Sequence, residues 1–235
     1  MALRAFIEFG FKNYMRQHRY LRDLAAVVIF SIFFGGFLSG NQLESNIWWV
    51  FAVFALILNL LTAPSVFFLE KGNTLYFLLN KPHGRKRLFL SKIILIILID
   101  LTWVLIFALA YGLRFLSVEY FLELPLRMGI ITLLLTLSTL LLSLAYTFHP
   151  QSSWLIFTLL VFGSIINKAP LFPIKSAGEV FKLLIFLVPP FFEINFISVS
   201  LEISGWHSVF LLIALLQIAA VYWISSKKML QKDLV

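Results

Sequence analysis

Six apolar runs, separated by short charged or Pro- and Gly-marked segments, organise this chain. They cover residues 24–38, 47–69, 93–113, 126–148, 154–166 and 207–224. Crossing a hydrocarbon core about 30 Å thick takes roughly 20 residues of α-helix. Backbone groups inside that core must be satisfied within the protein, which selects helices for runs of this kind. The pattern predicts an all-α integral membrane fold of six transmembrane helices, the first and fifth being the shortest. No stretch remains for a soluble domain, so residues 1–235 are expected to form a single transmembrane domain.

Two segments depart from simple spans. Over residues 1–23, Leu3, Phe6, Ile7, Phe11 and Tyr14 fall on one side of a 3.6-residue helix and Arg4, Glu8, Lys12, Arg16 and Arg19 on the other. This is the pattern of an amphipathic interfacial helix lying along the inner leaflet. Its basic face suits anionic lipid head groups, with contact to a soluble partner as the alternative. Residues 180–199 are apolar enough to span, but Pro189 and Pro190 break a helix by removing donors and clashing with the preceding turn. The prediction is a pair of re-entrant half-helices within residues 169–205, dipping in from outside with Glu193 and Asn195 near the turn; a Pro-kinked span is the alternative.

Composition agrees with the membrane reading: 61% of residues are hydrophobic and only 13% charged, against about a quarter charged in soluble domains. Cysteine is absent, which removes disulfides, thiolate metal sites and cysteine nucleophiles. The net charge of +8 is best read as topology rather than as nucleic-acid binding. With the N-terminus inside, five basic residues precede the first run, six lie between Lys71 and Lys92, and three follow the last at Lys227, Lys228 and Lys232. Arg114, Arg127, Lys168, Lys175 and Lys182 are left outside, which satisfies the positive-inside bias and puts both termini in the cytoplasm. Basic residues crowd the region before the first run and no small-residue cleavage pattern follows it, so a signal peptide is not expected. His18, His83, His149 and His207 are scattered, without metal-ligand spacing, and Ser, His and Asp form no nucleophilic arrangement. No metal, cofactor-binding or catalytic residue is expected. A G-x-x-x-x-G-K-[ST] phosphate loop is absent too, so ATP hydrolysis cannot be assigned to this chain.

Residues 68–93 carry the most specific pattern. Thr74 can cap a helical turn, Leu75, Leu78 and Leu79 give it an apolar face, Pro82 stops it, and Arg85, Lys86, Arg87 and Lys92 close the segment. An apolar face at a cytoplasmic surface needs a cover, supplied either by the protein's own spans or by the groove of a partner. Asp100 is the acid placed within a span, where an ionisable side chain is costly and usually functional. Proton coupling is one functional reading, and pairing with a neighbouring helix, through Lys92 or the amphipathic helix, competes with it and with any transport role. Asn59, Thr62, Ser164 and Asn167 are candidates for lining a pathway, although Ser, Thr and Asn also glue membrane helices together.

The order of Glu70, Gly72, Leu75, Leu78, Leu79, Pro82, Arg85 and Lys92 resembles the loop after the second span in type-2 ATP-binding-cassette permeases. The resemblance extends to the layout: an N-terminal amphipathic connecting helix, six spans, both termini inside, and re-entrant half-helices between spans five and six. It implies an exporter subunit in a bacterial inner (cytoplasmic) membrane. Such a subunit pairs with a second permease protomer, as homodimer or heterodimer, sits among membrane lipids, and is driven by separate ABC-type ATPase subunits that hold the ATP and Mg. By this resemblance the cytoplasmic loop 70–92 contains a coupling helix over residues 73–81. Glu70, Gly72, Thr74, Leu75, Leu78, Leu79, Pro82 and Arg85 are the ATPase-coupling residues it implies. Asn80 and Lys81 stand where small or hydroxylated residues are common in that family. A polytopic membrane enzyme acting on lipid or isoprenoid substrates is one alternative, although such enzymes need acidic clusters for divalent metal and the isolated acids here form none. An ATP-independent membrane scaffold is the other.

Overall fold

The computed structural model describes residues 3–38, 40, 43–69, 83–148, 153–171, 177–203 and 205–231. Among these residues the fold is all-helical, without a strand. Helix α1 (Leu3–Arg16) leads into α2 (Tyr20–Leu38), followed by α3 (Ile47–Phe67), α4 (Gly84–Phe115) and α5 (Val118–Ser143). A π turn (Leu144–Phe148) extends α5. Then come α6 (Ser153–Ile165), the 3₁₀ segments Ala169–Leu171 and Ala177–Leu187, α7 (Phe191–Ser200) and α8 (Trp206–Gln231).

Four of the described helices are long and apolar enough to cross a membrane: Ile47–Phe67, Gly84–Phe115, Val118–Tyr146 and Trp206–Lys228. This is a membrane protein by the length and composition of its helices. The runs expected as the first and fifth spans are also helical. However, α2 carries Arg22 and Asp23 in its first turn, and the 13 residues of α6 rise only about 20 Å. The basic end of the expected 70–92 loop is helical as well, because α4 opens at Gly84 and takes in Arg85, Lys86, Arg87 and Lys92.

The core forms around α3, which touches α2, α4, α5 and α7. Ala52, Ala55 and Ala63 are fully buried on it, and small residues let neighbouring helices approach where lipid supplies no hydrophobic drive between them. Phe54 stacks on Phe30 of α2 at 4.1 Å and meets Phe107 of α4 edge-on at 5.1 Å, a ring geometry that favours both contacts. Helices α4 and α5 form a tight hairpin. Leu116 adopts the left-handed conformation (φ 49°) that closes a helix, its N–H bonding Gly112 O at 3.0 Å. Only glycine fits at 112, since a Cβ there would stand 2.5 Å from the Tyr120 ring, whose hydroxyl donates to Ala108 O at 2.9 Å.

Helix α1 packs on α4 through Phe6, Gly10 and Tyr14, one residue per turn along a single stripe. Phe11, expected on the buried side, is 48% exposed. The amphipathic helix is therefore seated on protein along a narrower stripe than its apolar pattern suggests.

Candidate functional site

Where α1 to α5 meet, the apolar interior contains a connected group of polar side chains. Asn59, at the middle of α3, donates its amide to Asp100 Oδ2 on α4 at 2.7 Å and to Thr139 Oγ1 on α5 at 2.8 Å. Its carbonyl accepts from Ser138 Oγ at 2.8 Å. One turn along α3, Thr62 stands beside both Asp100 and Asp23 of α2. Asp23 Oδ2 accepts the Tyr14 hydroxyl from α1. Asp23, Asn59, Thr62, Asp100, Ser138 and Thr139 all have no exposed surface. Burial, then the hydrogen bond to Asp23 and that carboxyl's charge, hold the Tyr14 phenol above its usual range, so it remains a donor. Five helices thus contribute to one polar centre, although an unpaired polar group in such surroundings costs several kcal/mol.

Arg22 does not bond to the adjacent Asp23. It reaches across to α3, donating to Leu61 O at 3.0 Å and to the Ser65 hydroxyl. Lys92, two turns before Asp100, donates to Phe67 O at 2.8 Å, a half-buried helix-end carbonyl of the kind basic side chains commonly satisfy. Neither pairing proposed for Asp100 from its sequence position occurs: Lys92 caps α3, and the amphipathic helix meets Asp23 instead.

A second polar group holds α7, the helix after the Pro189–Pro190 break. Lys168 is fully buried, with its Nζ 3.0 Å from Glu193 Oε2 and its backbone N–H donating to Glu193 Oε1 at 2.6 Å. The same ammonium donates to Ile166 O at 3.0 Å and Gly163 O at 3.4 Å, closing the C-terminus of α6. Glu193 lies in the first turn of α7, where a negative charge is favoured by the helix dipole. Burial pulls the Lys168 ammonium below the usual lysine range, opposed by the charge and hydrogen bond of Glu193. At the other end of α7, Arg127 of α5 donates to Ser198 O at 2.5 Å and Val199 O at 2.7 Å. It also pairs with Glu123 at 2.7 Å and lies over the Trp48 ring. Gln217 of α8 donates to Phe186 O at 2.8 Å, just before the break. A Cβ at Gly163 would come within 2.5 Å of Pro189 O, so the break sits directly against α6. Interrupted backbone is tolerated within a bundle when protein groups satisfy it, and here charged side chains do so.

Of the residues singled out from sequence, Asn59, Thr62 and Asp100 come together in the first group. Ser164 donates to Leu160 O and lines a cavity of about 200 Å³ with Ser138, between α3, α5 and α6. Asn167 is exposed, its side chain accepting from Ala169 N at 3.2 Å. Arg85 lies in the first turn of α4, while Glu70, Gly72, Thr74, Leu75, Leu78, Leu79 and Pro82 fall outside the described residues. Sequence reasoning did not single out Tyr14 or Asp23 for this centre. Asp23 directly precedes the first apolar run, which was the available signal. An apolar groove of about 700 Å³ also opens between α1, the start of α2 and α4, lined by Ile7, Phe11, Leu98, Trp103 and Ile106, with Arg4 and Glu8. Among the described residues, no group of three or more His, Cys, Asp or Glu is placed to hold a metal ion.

Comparison of the chain with protein-family models, with curated proteins and with solved structures yields no match.

Proposed function

We propose that this chain is the permease subunit of an ATP-driven exporter, pairing with a second permease protomer and taking its ATPase subunits in trans. The observation that supports this best is the interrupted segment between α6 and α8, whose short helix α7 is closed at both ends by Lys168–Glu193 and Arg127 inside the bundle. A closed, short helix at that point of the chain agrees with the half-helix layout that the resemblance implies between the fifth and sixth spans. In this reading α2 and α6 complete six spans with the four long helices, α1 lies at the cytoplasmic face, and both termini are inside. Loop 70–92 presents the coupling helix to the ATPase. Binding of ATP draws the two ATPases together, the coupling helices follow, and the membrane halves shift toward the state that releases substrate outward. Such a shift requires the ligands to favour one arrangement over the other.

The test starts with a tagged copy purified from native membranes in mild detergent, with everything that co-purifies identified by mass spectrometry. The expected result is a stoichiometric ATPase, lost from a Leu78→Asp, Leu79→Asp double variant that still inserts normally. Reproducible absence of an ATPase beside intact protein overturns the reading, and an unchanged complex in the double variant overturns the coupling assignment. An enzyme or scaffold then takes its place.

A further inference from the structure

Five hydroxyl side chains inside these helices share one habit. Thr102, Thr132, Thr136, Thr158 and Ser164 each donate to the carbonyl four residues earlier, the usual resting place for such a group in a helix. Thr62 does not. Its Oγ1 is fully buried, bonds no backbone carbonyl, and sits beside both Asp23 and Asp100. One oxygen of each of these carboxyls, Asp23 Oδ1 and Asp100 Oδ1, is buried and unpartnered too. The other oxygens are occupied, by Tyr14 at Asp23 and by Asn59 at Asp100.

From these three facing atoms we infer that Asp23, Thr62 and Asp100 form an intramembrane binding site for one proton. The hydrogen count identifies the ligand. With both carboxyls ionised, the three atoms share a single hydrogen, that of Thr62, and one carboxylate oxygen is left bare. A carboxylate is acceptor-only, and protonation turns it into a donor. One added proton forms an O–H bond at Asp100 Oδ1. Asp100 then donates to Thr62 Oγ1, Thr62 donates to Asp23 Oδ1, and all three atoms are satisfied. Each acid receives one hydrogen, from Tyr14 at Asp23 and from Asn59 at Asp100, and the proton belongs on Asp100 because the charge of Arg22 lies next to Asp23.

Among the described residues, Arg22 is the cation beside Asp23, and none pairs with Asp100. Facing the pair are Tyr14 on α1 and Arg22 on α2, the latter engaged with Leu61 and Ser65. Lys92 on α4 is engaged with Phe67. Helices α3 and α5 contribute the uncharged Asn59, Thr62, Ser138 and Thr139. Release of the proton leaves two like charges on α2 and α4 facing one another across α3, which favours admitting water or separating the helices. Proton occupancy and the dry, closed arrangement of these helices are therefore linked, whether or not an ATPase docks below.

Infrared spectroscopy of the purified full chain in neutral-lipid vesicles tests the site directly. At neutral pH in sodium-free buffer the wild type should show the C=O stretch of a protonated carboxylic acid buried from exchange. Asp100→Asn should lose that band. Thr62→Val, which keeps both acids and the side-chain shape, should shift its frequency through loss of the hydrogen bond. Circular dichroism on each variant identifies folded samples, and the Thr62→Val frequency provides the reading if Asp100→Asn fails to fold. Absence of the band from folded wild type overturns the site, as does its survival unchanged in both folded variants. Removal of the band by added sodium overturns the choice of a proton and assigns the oxygens to a metal cation.

Discussion

The two polar groups in this bundle solve opposite problems. Around α7, every buried charge is balanced: Lys168 by Glu193 and Arg127 by Glu123, with the leftover hydrogens spent on helix-end carbonyls at Gly163, Ile166, Ser198 and Val199. Around Asn59, two acids are buried with uncharged donors only, and three atoms have no partner. Charges that close helix ends replace the water missing from a broken backbone, so they act as structure. Acids left under-bonded in a dry interior carry a cost that the inferred proton relieves. The contrast separates a clamp from a binding centre without reference to any relative.

Variants at each end of the comparison should behave differently. The largest loss is expected for Glu193→Gln, which leaves the Lys168 ammonium buried and uncompensated; breaking one partner of such a pair costs about 3–5 kcal/mol. Unfolding in a denaturing detergent titration measures it, and the double variant Lys168→Met, Glu193→Leu should recover a large part of the loss. Next is Arg127→Met, which removes charged hydrogen bonds to Ser198 O and Val199 O, each worth about 1.5–3 kcal/mol. The loss should appear as faster amide exchange confined to the end of α7. Asn59→Leu should cost less, about 1–3 kcal/mol for the Asp100 carboxyl left unpaired, because the Thr139 and Ser138 hydroxyls can turn to carbonyls of their own helix and the inferred proton keeps Asp100 neutral. If Asn59→Leu proves as damaging as Glu193→Gln, the polar centre is itself a clamp and the distinction fails.

Legibility from sequence followed the range of the interactions. The apolar runs and the break at Pro189–Pro190 depend on neighbours in the chain, and helices appear on all six runs within the described residues. The amphipathic character of α1 was equally plain, yet its buried stripe narrowed to Phe6, Gly10 and Tyr14, while Phe11 lines the open apolar groove between α1, α2 and α4. Asp100 stood out as an acid within an apolar run, but its partner Asn59 lies 41 residues away on another helix. Lys168 was counted only as an outside charge and Glu193 was placed near the re-entrant turn, but nothing local shows that the two pair across 25 residues while Lys182 pairs with its neighbour Glu179.

Sequence by itself determined the solvent and the secondary structure, because burying apolar side chains and satisfying the backbone are requirements each segment meets almost alone. Tertiary structure decided which polar side chains share a site. A hydrogen bond inside a membrane is made by whichever helix packing brings donor to acceptor, and packing of α2, α4 and α5 around α3, with α1 against α4, joined Tyr14, Asp23, Asn59, Thr62, Asp100 and Thr139, residues spread over more than half of the chain.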